Sequence, residues 1–225
     1  MIIAILLSLL FAGAPQASKN DEPLVSATNP TYLSCTFWTG KTWSKPSARS
    51  VRTPVARSPK GLLAYGEVKV TVQSDDCENT TTLYVAAGEG KEFRNVYKKE
   101  GGGNGIRIIG WSPDGDQLLA ELTSWAYETD TGFEYTPVIY NAATSTAQEN
   151  SALEKALSEH MGKDCSFEHN LIRWKTNRQV LVRISPYQDV DGSDEYSCVK
   201  QPKLLSYDLQ TNSLISFPPR PSKSN

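Results

Sequence analysis

The chain has 225 residues, a formal net charge of −2 and 39% apolar residues, which suits one domain or a domain with a small appendage. A charge this close to zero argues against the overall basicity of a nucleic-acid binder and against a strongly acidic chain. The informative features are the local distribution of charge and the recurrence of turns.

Residues Ile2 to Ala12 are apolar, but the run is shorter than the roughly 20 residues that span a bilayer. The small residues Ala12-Gly13-Ala14 follow. This pattern predicts a signal peptide over residues 1–17, cut near Ala17 because Pro15 hinders cleavage directly after Ala14. The expected location is secreted or periplasmic, with no stable membrane span after cleavage. In an oxidising compartment the cysteines, Cys35, Cys77, Cys165 and Cys198, are expected in disulfides. Of the pairings open to them, Cys35–Cys77 with Cys165–Cys198 would clip the two ends of the array described next. Asn79-Thr80-Thr81 is a sequon, relevant only in a source that glycosylates.

Residues 18–48 read as an N-terminal extension. Tyr32 to Trp38 and Thr42-Trp43, around the turn Thr39-Gly40-Lys41, are expected as edge strands or as the start of a further unit. Residues 49–217 then hold a repeat. Ser58-Pro59-Lys60-Gly61-Leu62-Leu63-Ala64-Tyr65 is similar to Ser112-Pro113-Asp114-Gly115-Asp116-Gln117-Leu118-Leu119-Ala120, with a looser copy at Lys175 to Val182. Trp111 and Trp174 precede the second and third of these turns. A second block recurs as Thr82 to Gly90, Pro137 to Thr144 and Leu204 to Asn212, each a strand carrying a Tyr that runs into a small polar turn. Each unit, at about 49–98, 105–148 and 169–217, is predicted as a four-stranded antiparallel meander. Pro54 marks the first strand as irregular, and Gly101 to Gly105 reads as a flexible inter-unit loop.

One helix is expected at about 151–161. Ser151 and Glu154 have capping-box spacing, Leu153, Ala156, Leu157 and Met161 share a face, and Gly162 suits the C-terminal stop. Residues 218–225 read as a flexible tail. The predicted fold class is therefore all-β, with three consecutive four-stranded antiparallel blade-like units in a partial or small propeller-like array and one inserted short α-helix.

The turn Trp111-Ser112-Pro113-Asp114-Gly115, with Leu118-Leu119-Ala120 and the later Val138-Ile139-Tyr140, resembles the TolB-like β-propeller repeat. The resemblance covers roughly Arg49 to Phe217. It implies that the Trp wedges between neighbouring sheets. Closed propellers have about four to eight blades, so three units imply an open arc whose end faces favour self-association.

The meander places each second-to-third loop at one end of the array, and all three loops are acidic. They carry Asp75, Asp76 and Glu78; Glu128, Asp130 and Glu134; and Asp189, Asp191, Asp194 and Glu195. Such a face would attract cations or a basic partner. Within it, Asp189, Asp191, Asp194 and Glu195 surround Gly192 and offer hard oxygen ligands of the kind Ca²⁺ takes, although the spacing is not that of an EF-hand. No other cofactor is expected. Lys41, Lys45, Arg49, Arg52, Arg57 and Lys60 form a basic stretch near Trp38 and Trp43. Export argues against nucleic acid as its partner, leaving a solvated edge or an acidic face of another copy. His160 and His169 flank Cys165, but a disulfide-bonded Cys165 could not bind zinc. No Gly-x-Ser-x-Gly elbow occurs. The expected function is an exported, non-catalytic binding or scaffold module with a protein partner or self-association. The alternatives are a hydrolase with a site between units and a structural subunit that completes a propeller by oligomerising.

Overall fold

The computed structural model describes residues 50–73, 76–125, 133–162, 164–187 and 197–215, with the short strands at 31–32, 37–38 and 43–44. Three antiparallel sheets follow one another along the chain. The first holds β4 (Ser50–Arg52), β5 (Ala56–Arg57), β6 (Leu63–Gln73), β7 (Asp76–Ala86) and β8 (Arg94–Glu100). The second holds β9 (Gly103–Trp111), β10 (Gln117–Trp125), β11 (Glu134–Asn141) and β12 (Thr146–Glu149). The helix α1 (Ala152–Met161) precedes the third, which holds β13 (Phe167–Trp174), β14 (Gln179–Pro186), β15 (Lys203–Asp208) and β16 (Ser213–Ile215). In the extension, β1 (Thr31–Tyr32) pairs with the free edge of β9, while β2 (Phe37–Trp38) and β3 (Trp43–Ser44) pair with each other. The fold is mostly β with one helix among the described residues, and its sheets do not close into a barrel.

Pro54, which lacks an N–H, divides the first strand of the first unit. β4 and β5 both pair with β6, and Thr53 N–H bridges the break to Gly66 O at 2.9 Å.

The three first-to-second turns share one hydrogen-bond plan. Ser58 N–H donates to Leu62 O at 2.8 Å, Ser112 N–H to Gln117 O at 2.7 Å and Lys175 N–H to Gln179 O at 2.7 Å. A hydroxyl inside each turn accepts from the backbone: Ser58 from Leu62, Ser112 from Gln117, Thr176 from Gln179. Thr176 thus does in the third copy what Ser does in the others. Gly61 and Gly115 sit at φ 85° and 75°, where a side chain is strained.

The second turn is one residue longer than the first, so the matching letters Leu-Leu-Ala do not match in register. Leu63 and Leu118 are equivalent by hydrogen bonding, not Leu63 and Leu119. A one-residue slip exchanges the faces of a strand. Ala64 therefore faces the second sheet, Ala120 faces back toward the first, and both lie in the same core.

Trp111 Nε1 donates to Ala56 O at 3.3 Å, and Trp174 Nε1 donates to Gly110 O at 2.8 Å. Each acceptor lies two residues before the turn serine of the preceding unit. Each Trp thus reaches across the gap to the sheet before it. The turns also touch across units: Lys60 Nζ lies 2.5 Å from Asp116 Oδ1, and Asp114 N–H donates to Asn177 Oδ1 at 3.0 Å.

Two apolar cores fill the gaps between sheets. Ala64, Val68, Leu83, Ile106, Leu118, Leu122 and Val138 pack between the first and second. Gly66 allows this contact, because a Cβ there would meet Ile106 Cγ2 at 2.4 Å. Leu119, Leu153, Leu157, Leu171, Val182, Ile184 and Tyr207 pack among the second sheet, α1 and the third sheet. A buried ion pair within the second sheet reaches across this second gap through hydrogen bonds to Leu171. Glu121 Oε1 lies 2.5 Å from Arg107 Nη2, Glu121 Oε2 accepts from Leu171 N–H at 2.7 Å, and Arg107 Nη2 donates to Leu171 O at 2.9 Å. β13 is thereby held by side chains of the second sheet.

Four expectations change in detail. Ser151 makes no side-chain cap to α1; Asn150 Oδ1 accepts from Ala152 N–H at 3.0 Å instead. The apolar helix face and the Gly162 stop are as expected, with Leu153 and Leu157 fully buried and Gly162 at φ 98°. The sequon residue Asn79 is completely buried and donates to Asn104 O at 3.0 Å, while Asn104 Nδ2 donates to Asn79 O at 2.9 Å, so a glycan has no room there. The predicted glycine loop is a short turn at Gly101-Gly102, and Gly103 to Gly105 belong to β9. The basic stretch is largely neutralised within the molecule: Arg52 pairs with Glu67, Arg57 with Glu89 and Lys60 with Asp116, while Lys41, Lys45 and Arg49 lie outside the described residues. Cys165 and Cys198 form a disulfide with a Cα–Cα distance of 5.2 Å, as expected. Cys35 lies outside the described residues, and Cys77 is placed as a strand residue of β7 opposite Val72.

Candidate functional site

The turn end of the array is consumed by the contacts above. At the opposite end, β11 and β13 begin, β14 finishes, and α1 lies across them. These elements enclose a cleft of about 840 Å³. β11 and the residue before it contribute Phe133, Glu134 and Tyr135; α1 contributes Glu154, Lys155 and Ser158; β13 contributes Phe167, Glu168 and His169; Tyr187 follows β14.

Strand alternation builds its walls. Phe133 and Tyr135 are two residues apart, as are Phe167 and His169, so each pair is presented on one face. Trp125 meets Phe133 edge-on at 5.8 Å, Phe133 and Tyr135 are 6.5 Å apart, and Tyr135 and Phe167 lie 6.1 and 6.3 Å from the His169 ring. Gly103 makes space at the start of this row, since a Cβ there would fall 2.0 Å from the Trp125 indole. Phe133 is 56% exposed, unusual for an aromatic side chain.

The charges in the cleft are mainly negative. Glu134, Glu154 and Glu168 line it with Lys155, whose ammonium lies 3.9 Å from Glu159. His169 is 8% exposed, with Nδ1 3.5 Å from Glu154 Oε2. His169 Nε2 is buried and has no hydrogen-bond partner among the described residues. Among the described residues, Nε2 has no hydroxyl or thiol within hydrogen-bond distance. Glu154, expected as half of a capping box, instead has its carboxylate beside this imidazole.

A second cleft, of about 760 Å³, lies between the second and third sheets and is lined by amides and hydroxyls. Many of these bond to one another: Asn150 to Asn212, Arg178 to Gln210, and Thr144 to Thr146. This is turn packing.

Of the sequence-predicted acidic residues, Glu134 opens β11 in the main cleft, and Glu78 is exposed on β7. Asp76 is the first residue of β7. Asp75, Glu128, Asp130, Asp189, Asp191, Asp194 and Glu195 lie outside the described residues. His160 lies exposed in the last turn of α1, and Cys165 is consumed by its disulfide. No group of three or more His, Cys, Asp and Glu is placed to hold a metal among the described residues. Sequence reasoning missed Phe133, Tyr135, Phe167 and Tyr187. The period-two spacing of Phe133 with Tyr135 was the available signal, but their meeting with β13 is a tertiary event.

No described helix is long and apolar enough to cross a membrane. A scan against protein-family models and a search of curated proteins both return no match for this chain.

Proposed function

We propose that this chain is an exported, non-catalytic binding module built on a TolB-like propeller repeat, and that it holds a basic partner in the loop-end cleft. One observation carries the reading: Glu134, Glu154 and Glu168 stand among Phe133, Tyr135, Phe167 and Tyr187, with Lys155 already facing Glu159. Clustered carboxylates attract cations. An aromatic face adds about 0.5–2 kcal/mol to a bound cation, more as water is excluded. The sequence on both sides supplies further acid, with Glu128 and Asp130 before Phe133 and Asp189 and Asp191 after Tyr187. The Cys165–Cys198 disulfide supports export, and the repeated Trp-to-carbonyl bond supports the repeat.

Calorimetric titration with a Lys/Arg-rich peptide and with an Asp/Glu-rich control tests this reading. The basic peptide binds and the control does not, and the triple variant Glu134→Gln, Glu154→Gln, Glu168→Gln weakens binding at least tenfold. Equal binding of both peptides, or an unaffected triple variant, would sink it.

A second reading has its own observation. Leu204, 54% exposed, lies opposite exposed Arg183 on the outer face of the third sheet. Such an open face suits a structural subunit that stacks on another copy. A solution mass above that of one chain, lost with Leu204→Lys, would favour it; a monomer at all concentrations would remove it.

A further inference from the structure

We infer that two copies of this chain join head to tail: the face of the third sheet that looks away from the second receives the first sheet of the other copy, and six sheets close one ring. The inference rests on the self-stacking reading above and adds which faces meet and how they match.

Counting back from each first-to-second turn makes the three units comparable. Arg57, Trp111 and Trp174 stand directly before the turn, and Pro54, Ile108 and Leu171 stand three residues earlier. Ile108 pairs with Ala120 and Leu171 with Val182, so the next residues, Glu121 and Arg183, are equivalent. Their partners on the following strand, Pro137 and Leu204, are equivalent too. The third sheet then repeats the second with its cover removed. Glu121 and Pro137 are buried, whereas Arg183 is exposed and Leu204 is 54% exposed. Ile109, the extra residue of the bulge in β9, packs into the second core. Ile172, the extra residue of the same bulge in β13, is 38% exposed.

The two free ends match in chemistry. At the second gap Glu121 accepts from Leu171 N–H at 2.7 Å. In the first unit the equivalent of Leu171 is Pro54, which has no N–H to offer. In the third unit the equivalent of Glu121 is Arg183, which has no acceptor. Each replacement removes the need for the other. Arg183 instead serves the Pro54 carbonyl, as Arg107 serves Leu171 O at 2.9 Å. Arg57 likewise stands where Trp111 and Trp174 donate to Ala56 O and Gly110 O. Its acceptor at the new junction is the carbonyl of Arg173, two residues before the third turn. The existing pair of Arg57 with Glu89 is exposed and costs little to give up. A head-to-tail contact leaves free faces unless the ring closes. Two copies supply six sheets, within the about four to eight blades of closed propellers.

The test measures the mass of the full chain by analytical ultracentrifugation over a range of concentrations. A particle of two chains is expected, with no larger species. Arg183→Glu and Arg57→Ala, both at exposed positions, should each weaken dimerisation at least tenfold. Pro54→Ala, which restores an N–H, should recover part of the affinity lost in Arg183→Glu. Loss with Arg183→Glu but none with Arg57→Ala would mean that two third sheets meet face to face, which overturns the inference and leaves self-stacking intact. Masses that keep growing with concentration, or no recovery by Pro54→Ala, would also overturn it. A monomer at all concentrations would overturn both.

Discussion

The two ends of the array use their polar groups differently. At the turn end, Ser58, Ser112 and Thr176 close their own hairpins, and Lys60, Asp114, Asp116 and Asn177 bond across units. At the loop end, His169 Nε2 and Thr123 Oγ1 are buried without partners, and Phe133 stands half in solvent. The difference separates groups that hold the fold from groups the fold leaves uncommitted. Groups spent on register and stacking are unavailable to a ligand, whereas the loop end leaves polar capacity unspent on a rigid support.

The comparison breaks most visibly through the staple between the second and third sheets. Glu121→Ala removes the carboxylate that faces the largely buried Arg107 and the acceptor of Leu171 N–H, so it should cost about 3–5 kcal/mol in urea unfolding. A loss under about 1 kcal/mol would mean that the second gap is held by its apolar core alone. Next comes Gly66→Ala, whose methyl group meets Ile106; overpacking of this kind costs about 1–3 kcal/mol. Ser112→Ala removes the hydroxyl that closes the second turn and should cost about 1 kcal/mol. Glu134→Gln and Glu168→Gln, at the loop end, should stay within about 0.5 kcal/mol, as surface changes usually do. A loop-end substitution that costs more than Ser112→Ala would erase the distinction.

Acid sharpens the same contrast. Burial would raise the Glu67 carboxyl, but hydrogen bonds from Arg52, Lys69 and Ser50 outweigh it and hold the group below the ordinary glutamate value. Asp208 is lowered by the Thr211 and Gln210 backbone amides, and Asp114 by Ser112 and the Asp116 amide. Tyr97 and Lys99 hold Glu149 low as well, where β8 meets β12. A depressed folded value means stability that is complete above about pH 4–5 and lost as pH falls through the folded values. Tm should therefore drop steeply below pH 4, and Glu67→Gln should flatten that drop. A Tm that is level from pH 6 to pH 3 would contradict the assignment.

Much of the architecture was legible because turns and strands are local. Pro54, the Ser-Pro-x-Gly turns and the alternating apolar runs placed the strands of three units, and Leu153, Ala156, Leu157 and Met161 placed the helix. The expectation of an oxidising compartment made the Cys165–Cys198 pair readable. Three things were not legible. The extra residue in the second turn shifts Leu118-Leu119-Ala120 out of register with its look-alike, and only hydrogen bonding reveals it. Asn150 rather than Ser151 caps α1, because Ser151 already has helical dihedrals and Asn150 Oδ1 is the group that accepts from Ala152 N–H. The cleft joins residues from β11, α1 and β13, which no spacing rule connects; of the ten predicted acidic residues, only Glu134 is placed there among the described residues.

The central claim, that binding belongs to the loop end and not the turn end, is tested most directly by mapping backbone amide shifts while a Lys/Arg-rich peptide is added. The account predicts the largest changes among residues 133–136, 154–158, 167–169 and 187, with residues 58–62, 112–117 and 175–179 unmoved. Shifts centred on the three turns, or none at saturating peptide, would contradict it.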